Sequence, residues 1–242
     1  MKHTVLICLL LTSLPLHTGA SEVDFDRVIA QMQAAATQLR DATYLFHKQE
    51  YANGRQQPAE RIAVKYRAPN DIYMQWLAPS HKGRELLFRP GWNDDRLRIS
   101  PGRWLPTINL NPRGRLAMRG NRHSIYQLPF PTIIANFVDS AALIRANPAL
   151  RAHTTDLGEQ RHFGESGHCY RLLLPNDREP RLYAAEVMLC VSRRTGLPLR
   201  IQAWDVEDGR LRQVEDYGYE NVRINKGLTD LDFDPENSEY GF

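Results

Sequence analysis

The chain has 242 residues, 31 basic against 28 acidic, and a formal charge of +3. That length suits one domain with a sizeable core, and the near-balance of charge, with the cations gathered in one segment, argues against a nucleic-acid binder. Hydrophobic residues make up 42% of the chain, yet no stretch approaches the roughly 20 apolar residues a transmembrane helix needs.

Residues 1–20 read as a secretory signal peptide. Lys2 supplies a positive start, Val5 to Leu14 is apolar, and Thr18-Gly19-Ala20 offers small residues for cleavage after Ala20. Cleavage removes one basic residue, Lys2, and leaves residues 21–242 near neutrality. Export to the periplasm or beyond is therefore expected, and Cys8, inside the apolar run, is a poor lipid-attachment site.

Residues 22–40 read as a helix, because Phe25, Val28, Ile29, Met32, Ala35, Ala36 and Leu39 recur at spacings of three and four. Ser21 or Asp24 would cap it. From Thr43 the period changes to two. Ile62, Val64 and Tyr66 form one half-buried strand face, Ile72, Met74 and Trp76 another, and Leu86 and Phe88 a third. Asn53-Gly54, Pro69-Asn70, Pro79-Ser80, Pro90-Gly91 and Pro101-Gly102 are turn signals between them. Short connections at this spacing imply an antiparallel meander.

Between Lys82 and His123 lie ten basic and three acidic residues, interleaved with Leu86, Phe88, Trp92, Leu97, Ile99, Trp104 and Leu105. Arginine binds carboxylate or phosphate bidentately and tolerates apolar surroundings. An anionic head with an apolar body would suit Arg84, Arg89, Arg115 and Arg119, with Trp92 and Trp104 as ligand contacts. The alternative is a solvated face, or pairing with acids elsewhere. Residues 103–150 form a basic and helical insertion: an irregular stretch rich in Pro, Gly and Arg, then a helical face of Ile133, Ile134, Phe137, Val138, Ala141 and Ile144 that ends before Pro148. Strands resume at about 151–163, 167–174, 181–192, 197–206 and 210–220.

Cys169 and Cys190 fall on two consecutive strands of this second run, so either a disulfide across them or two buried thiols is open. No Cys or His spacing signals a metal site, and no cofactor is expected. Gly164-Glu165-Ser166-Gly167-His168 lacks the second glycine of a nucleophile elbow and reads as a tight turn. Asp230, Asp232 and Asp234 lack the Gly and Glu of a calcium loop, and read as an acidic ending that pairs with the basic insertion.

The expected fold is α+β: one curved antiparallel half-barrel sheet, an N-terminal helix, and a helical lid insertion over the concave face. The strings GRELLFRPGWNDDRLR, NLNPRGRLAMRGNRH, RTGLPLR and NVRINKGLTDLDFDPENSEYGF resemble, from about Val23 to Phe242, a bacterial secreted family catalogued as domain of unknown function 1571. The plan is also similar to the lipoprotein-carrier superfamily that includes LolA and LolB. Leu197-Pro198-Leu199-Arg200, and Asn225 followed by Phe233, carry that second resemblance. It implies a half-open barrel with an apolar cavity for acyl chains. The resulting expectation is an exported, non-enzymatic carrier or binding protein for an amphiphilic, lipid or lipid-linked envelope ligand. An amphiphilic small molecule or a lipidated protein is the partner, without nucleic acid, and with transient membrane contact and a monomeric state. The alternatives are a structural or interaction module of the envelope, and an unrecognised hydrolase.

Overall fold

The computed structural model describes residues 24–102, 104–147, 150, 152–174 and 182–242. The signal-peptide reading, Arg103 and the turn at 175–177 lie outside the described residues.

Helix α1 (Phe25–Thr37) starts at Asp24, whose side chain accepts from the Arg27 amide, and buries Val28, Ile29 and Met32. β1 (Asp41–Ala52), β2 (Arg55–Gln56), β3 (Glu60–Arg67), β4 (Asp71–Leu77), β5 (Glu85–Phe88), β6 (Leu97–Ser100) and β7 (Ile108–Leu110) follow. Asn53 and Gly54, at φ 54° and 75°, turn β1 into β2. Both values lie in the left-handed region that Asn and Gly tolerate and that tight hairpins require. Helix α2 (Phe130–Ala146) is the expected insertion helix, started by Pro129 and Pro131. β8 (His153–His162), β9 (Glu165–Leu173), β10 (Glu186–Ser192), β11 (Pro198–Glu207) and β12 (Arg210–Ile224) complete the sheet.

The strands form one twelve-stranded sheet, ordered β7-β6-β5-β4-β3-β1-β12-β11-β10-β9-β8, with β2 pairing β1 alone. All pairings are antiparallel, and β7 and β8 remain as edges, so the sheet is open. The two meanders meet where β1 pairs β12, in a register that opposes Phe46 to Tyr219, Lys48 to Tyr217 and Glu50 to Glu215. The expected architecture of sheet, N-terminal helix and inserted helix is the one found.

One face of the sheet, here the inner face, carries the main core. Phe46, Ile62, Met74, Leu189, Ile201 and Tyr219 pack there with Met32, Ile133, Ile134 and Phe137 of the helices. Each such side chain contributes roughly 1.5–3 kcal/mol through burial. The outer face has smaller clusters. Tyr73, Leu87 and Phe233 join Trp92, Leu228, Tyr240 and Phe242, so the C-terminal segment covers β4 and β5. The segment is also held by charge: Lys65 Nζ lies 2.8 Å from Asp232, and Arg67 Nη2 lies 2.7 Å from Asp230. The acidic ending therefore pairs mainly with β3 rather than with the insertion; of the basic stretch, Arg89 approaches Asp230, at 3.8 Å.

Cys169 and Cys190 are disulfide-bonded at directly opposed positions of β9 and β10. The turn expected over Gly164–His168 is shorter than that. Phe163 and Gly164 (φ 52° and 78°) make it, and Ser166 and Gly167 already belong to β9. Gly167 sits under Leu199: a Cβ there would come within 2.9 Å of Leu199 Cδ2.

Candidate binding site beneath the insertion

Residues 104–128, between β6 and α2, form no α-helix. They contain β7 and a 3₁₀ turn (Ile125–Gln127), which Ser124 and Gln127 close reciprocally at its start. The stretch then runs into α2. Its last part, Asn121 to Ser124, is tied to the sheet by charge rather than by apolar packing.

The ties follow from an alternation in β1. The face that carries Tyr44 and Phe46 continues as Lys48 and Glu50, and all four are buried. Opposite them on β12 stand Glu215, Tyr217 and Tyr219, also buried. Ionised groups in such a place need partners, because desolvation of an unpaired charge costs several kcal/mol. Lys48 Nζ donates to Asn121 Oδ1 (2.8 Å) and Glu60 Oε2 (3.2 Å), and lies 3.1 Å from Glu50 Oε2. The Arg122 amide donates to Glu50 Oε2 at 2.9 Å, and its Nη1 donates to Glu207 Oε1 at 2.8 Å. His123 Nε2 is 2.7 Å from Glu215 Oε1. The Tyr183 hydroxyl donates to Glu215 and the Tyr217 hydroxyl to Glu50. Trp76 Nε1 donates to Glu60 Oε1 at 2.9 Å.

The protonation states follow from this packing. Burial pushes Glu215 up, but the hydrogen bond and charge of His123, with Tyr183 and Arg122, bring its carboxyl below the ordinary value. Burial pushes His123 down, and the bond to Glu215 raises it above its ordinary value. Tyr183 and Tyr217 are pushed well up, by burial first and then by the carboxylates they face. Glu215 and His123 thus each favour the charged form of the other.

Beside this network lies a pocket of about 60 Å³. Ile62, Met74, Trp76, Leu86 and Leu97 of the sheet, with Ile125 and Leu128 of the insertion, make its apolar wall; Lys48, Glu60, Asn121 and His123 make its polar end. Its volume is room for a few water molecules. The apolar cavity that the carrier resemblance implies is here a small pocket. Side chains fill much of the inner face, and this pocket lies between it and the insertion.

The six candidate ligand residues are not brought together. Arg84 lies over the ring of Trp76, a pocket residue, 5.6 Å from its centroid. Arg89 sits 3.8 Å from both Asp71 and Asp230. Trp92 packs in the outer cluster with Phe233. Trp104 is 90% exposed, and Arg115 and Arg119 are exposed on the insertion. Successive turns around β5 send these side chains to different faces, and guanidinium groups without nearby acids stay in water. Lys48, Glu50, Glu60, Tyr183, Glu215 and Tyr217 were missed. The signal was an apolar face of β1 that turns into Lys48 and Glu50 without changing period.

On the outer face, two grooves of about 450 and 560 Å³ share Asn221 and Arg223. Tyr240 and Tyr73 wall one end, and Phe163 the other.

The family described as "Protein of unknown function (DUF1571)" matches residues 39–242, and the chain belongs to that family. No curated protein matches the chain. Among solved structures, MucB of the Pseudomonas aeruginosa MucA/MucB complex is similar at 14% identity and a TM-score of 0.46, over 88% of this chain and 61% of that one. The chain thus spans about three fifths of MucB. The lipoprotein LppX of Mycobacterium tuberculosis is similar at 11% identity and TM-score 0.47, over 84% of this chain and 98% of its own. A LolA superfamily protein of Nitrosomonas europaea is similar at 12% identity and TM-score 0.36, over 86% and 96%. These are likenesses of fold.

Proposed function

We propose that this DUF1571 member is an exported binding or carrier protein for an amphiphile of the cell envelope, without catalytic activity of its own. The ligand's apolar part would enter between the inner face and the insertion. The observation that carries this reading is the composition of the small pocket: an apolar wall, a charged end, and a cover without an α-helix. At about 60 Å³ the pocket holds only a fragment of an acyl chain. Uptake therefore requires residues 121–128 to move aside. Each methylene taken from water is worth about 0.8 kcal/mol, so a dozen offset the loss of several polar ties. Of the six candidates, Arg84 would meet an anionic head, because it lies over the ring of Trp76, which lines the pocket.

Mass spectrometry of gently isolated protein, together with titration by a fluorescent long-chain lysophospholipid, tests this. One bound amphiphile per chain, with a change in Trp76 emission, is the expected result. Protein without bound amphiphile, and without affinity for envelope lipids, removes the reading. The second reading, an interaction module, draws on the paired outer grooves, and it expects a stable cross-linked protein complex instead.

A further inference from the structure

The disulfide has a third partner that the sequence spacing did not announce. His162 ends β8, and its Nε2 lies 3.3 Å from Cys190 Sγ and 3.9 Å from Cys169 Sγ. The ligand atoms of these three residues all lie within 4.8 Å of one another. Both cysteines are fully buried, packed with Leu199 and Leu157 on the outer face.

We propose that His162, Cys169 and Cys190 form, once the disulfide is reduced, a binding site for a d¹⁰ transition-metal cation such as Zn²⁺. The geometry carries the inference. With Zn–S near 2.3 Å and Zn–N near 2.05 Å, tetrahedral ligation sets S···N at about 3.6 Å and S···S at about 3.8 Å. The two S···N separations present here bracket the first value. Breaking the disulfide frees the sulfurs to part by the remaining amount, from directly opposed strand positions that already face the same side. Two thiolates and one imidazole leave the fourth place for water, and this ligand set selects borderline-to-soft cations over Ca²⁺ or Mg²⁺.

The chemistry balances. A dithiol reductant gives two electrons and two protons to the disulfide and becomes a disulfide itself. The cation then displaces both thiol protons as the thiolates coordinate. β8 is an edge strand, so its turn at Phe163-Gly164 can lift without breaking a central pairing. One neighbour opposes the site. Arg200 Nη1 points at His162 Nδ1 from 3.5 Å while its Nε and Nη2 hold Asp216. When Nε2 binds the cation, Nδ1 of the neutral ring must carry the proton, so this donor faces a donor.

The test uses the whole chain, in disulfide and dithiol forms, with Co²⁺ and Zn²⁺ as probes. One Co²⁺ per chain, with thiolate-to-metal charge transfer, is expected in the dithiol form and none in the disulfide form. His162→Ala should weaken binding by at least the roughly tenfold to hundredfold that even outer-shell partners cost. Arg200→Gln should tighten it. A dithiol form that binds no cation, or binds it equally without His162, overturns the site. If reduction loosens the fold, Zn²⁺ should restore the melting temperature of the dithiol chain and not that of its His162→Ala variant. No restoration overturns the proposal as well.

Discussion

The two ends of the inner face are covered by different physics. At the helical end, Phe130 packs on Tyr44 and Tyr219, and Phe137 on Phe25 and Tyr183, with ring centroids 4.6–6.4 Å apart. At the insertion end, the cover is held by Lys48, Glu50, Arg122, His123 and Glu215. An apolar cover tolerates small losses and ignores pH. A charged one fails as a unit when one partner goes, and follows the titration of its members. The more conditional of the two covers lies over the pocket lined by Trp76, Lys48 and His123.

Glu215→Ala breaks this comparison most sharply. It removes the partner of His123 and of the Tyr183 hydroxyl and one of the two carboxylates paired with the Arg122 side chain, and should cost about 3–5 kcal/mol at neutral pH. Phe137→Ala, at the helical end, should cost a similar or slightly smaller amount, about 3–4 kcal/mol from lost burial and the cavity left behind. Denaturant unfolding of both variants across pH separates them: the Phe137→Ala deficit should stay level, and the Glu215→Ala deficit should not.

The pH dependence sharpens the same contrast. Glu215 titrates below its ordinary 4.5 in the folded chain, so its contribution is complete above that value and disappears as pH falls through the folded one. His123 titrates above its ordinary 6.5, so its contribution is complete below that value and disappears as pH rises through the folded one. The insertion should therefore be held most firmly between about pH 4.5 and 6.5. Melting temperature measured against pH should peak in that window, and Glu215→Gln should flatten both flanks. A variant curve of unchanged shape would refute the pairing.

A smaller effect is expected on the outer face. Asp71→Ala removes the partner 2.6 Å from Arg67 and the ion 3.8 Å from Arg89, both partly exposed, and should cost about 1 kcal/mol. The smallest should come from Arg115→Ala with Arg119→Ala. Both are exposed, so stability should change by about 0.5 kcal/mol or less and amphiphile binding not at all. A large loss of binding in that double variant would return the basic stretch to the site.

Most of the sheet was legible because strand faces and turns are written locally. Ile62, Val64 and Tyr66, or Asn53-Gly54, state their roles within a few residues. The candidate site was not legible in that way. Reading Arg84, Arg89, Arg115 and Arg119 as one group assumed that closeness in sequence meant closeness in space. Around β5 the chain reverses too often for that, and the cations that meet buried or partly buried acids are Lys48, beside Glu50 of its own strand and Glu60 of β3, and the half-buried Arg122, beside Glu215 of β12.

From the sequence alone came the helices, the alternating strands, the antiparallel order within each meander, and an insertion unlike both. Those depend on period, on turn residues and on composition, all of which act over short separations. The tertiary structure alone decided the joining of β1 to β12, the filling of the inner face, and the placing of His162 against two sulfurs. Each of these is a contact between segments far apart in the chain. Their register is settled by which buried groups can satisfy one another, and no local pattern carries that information.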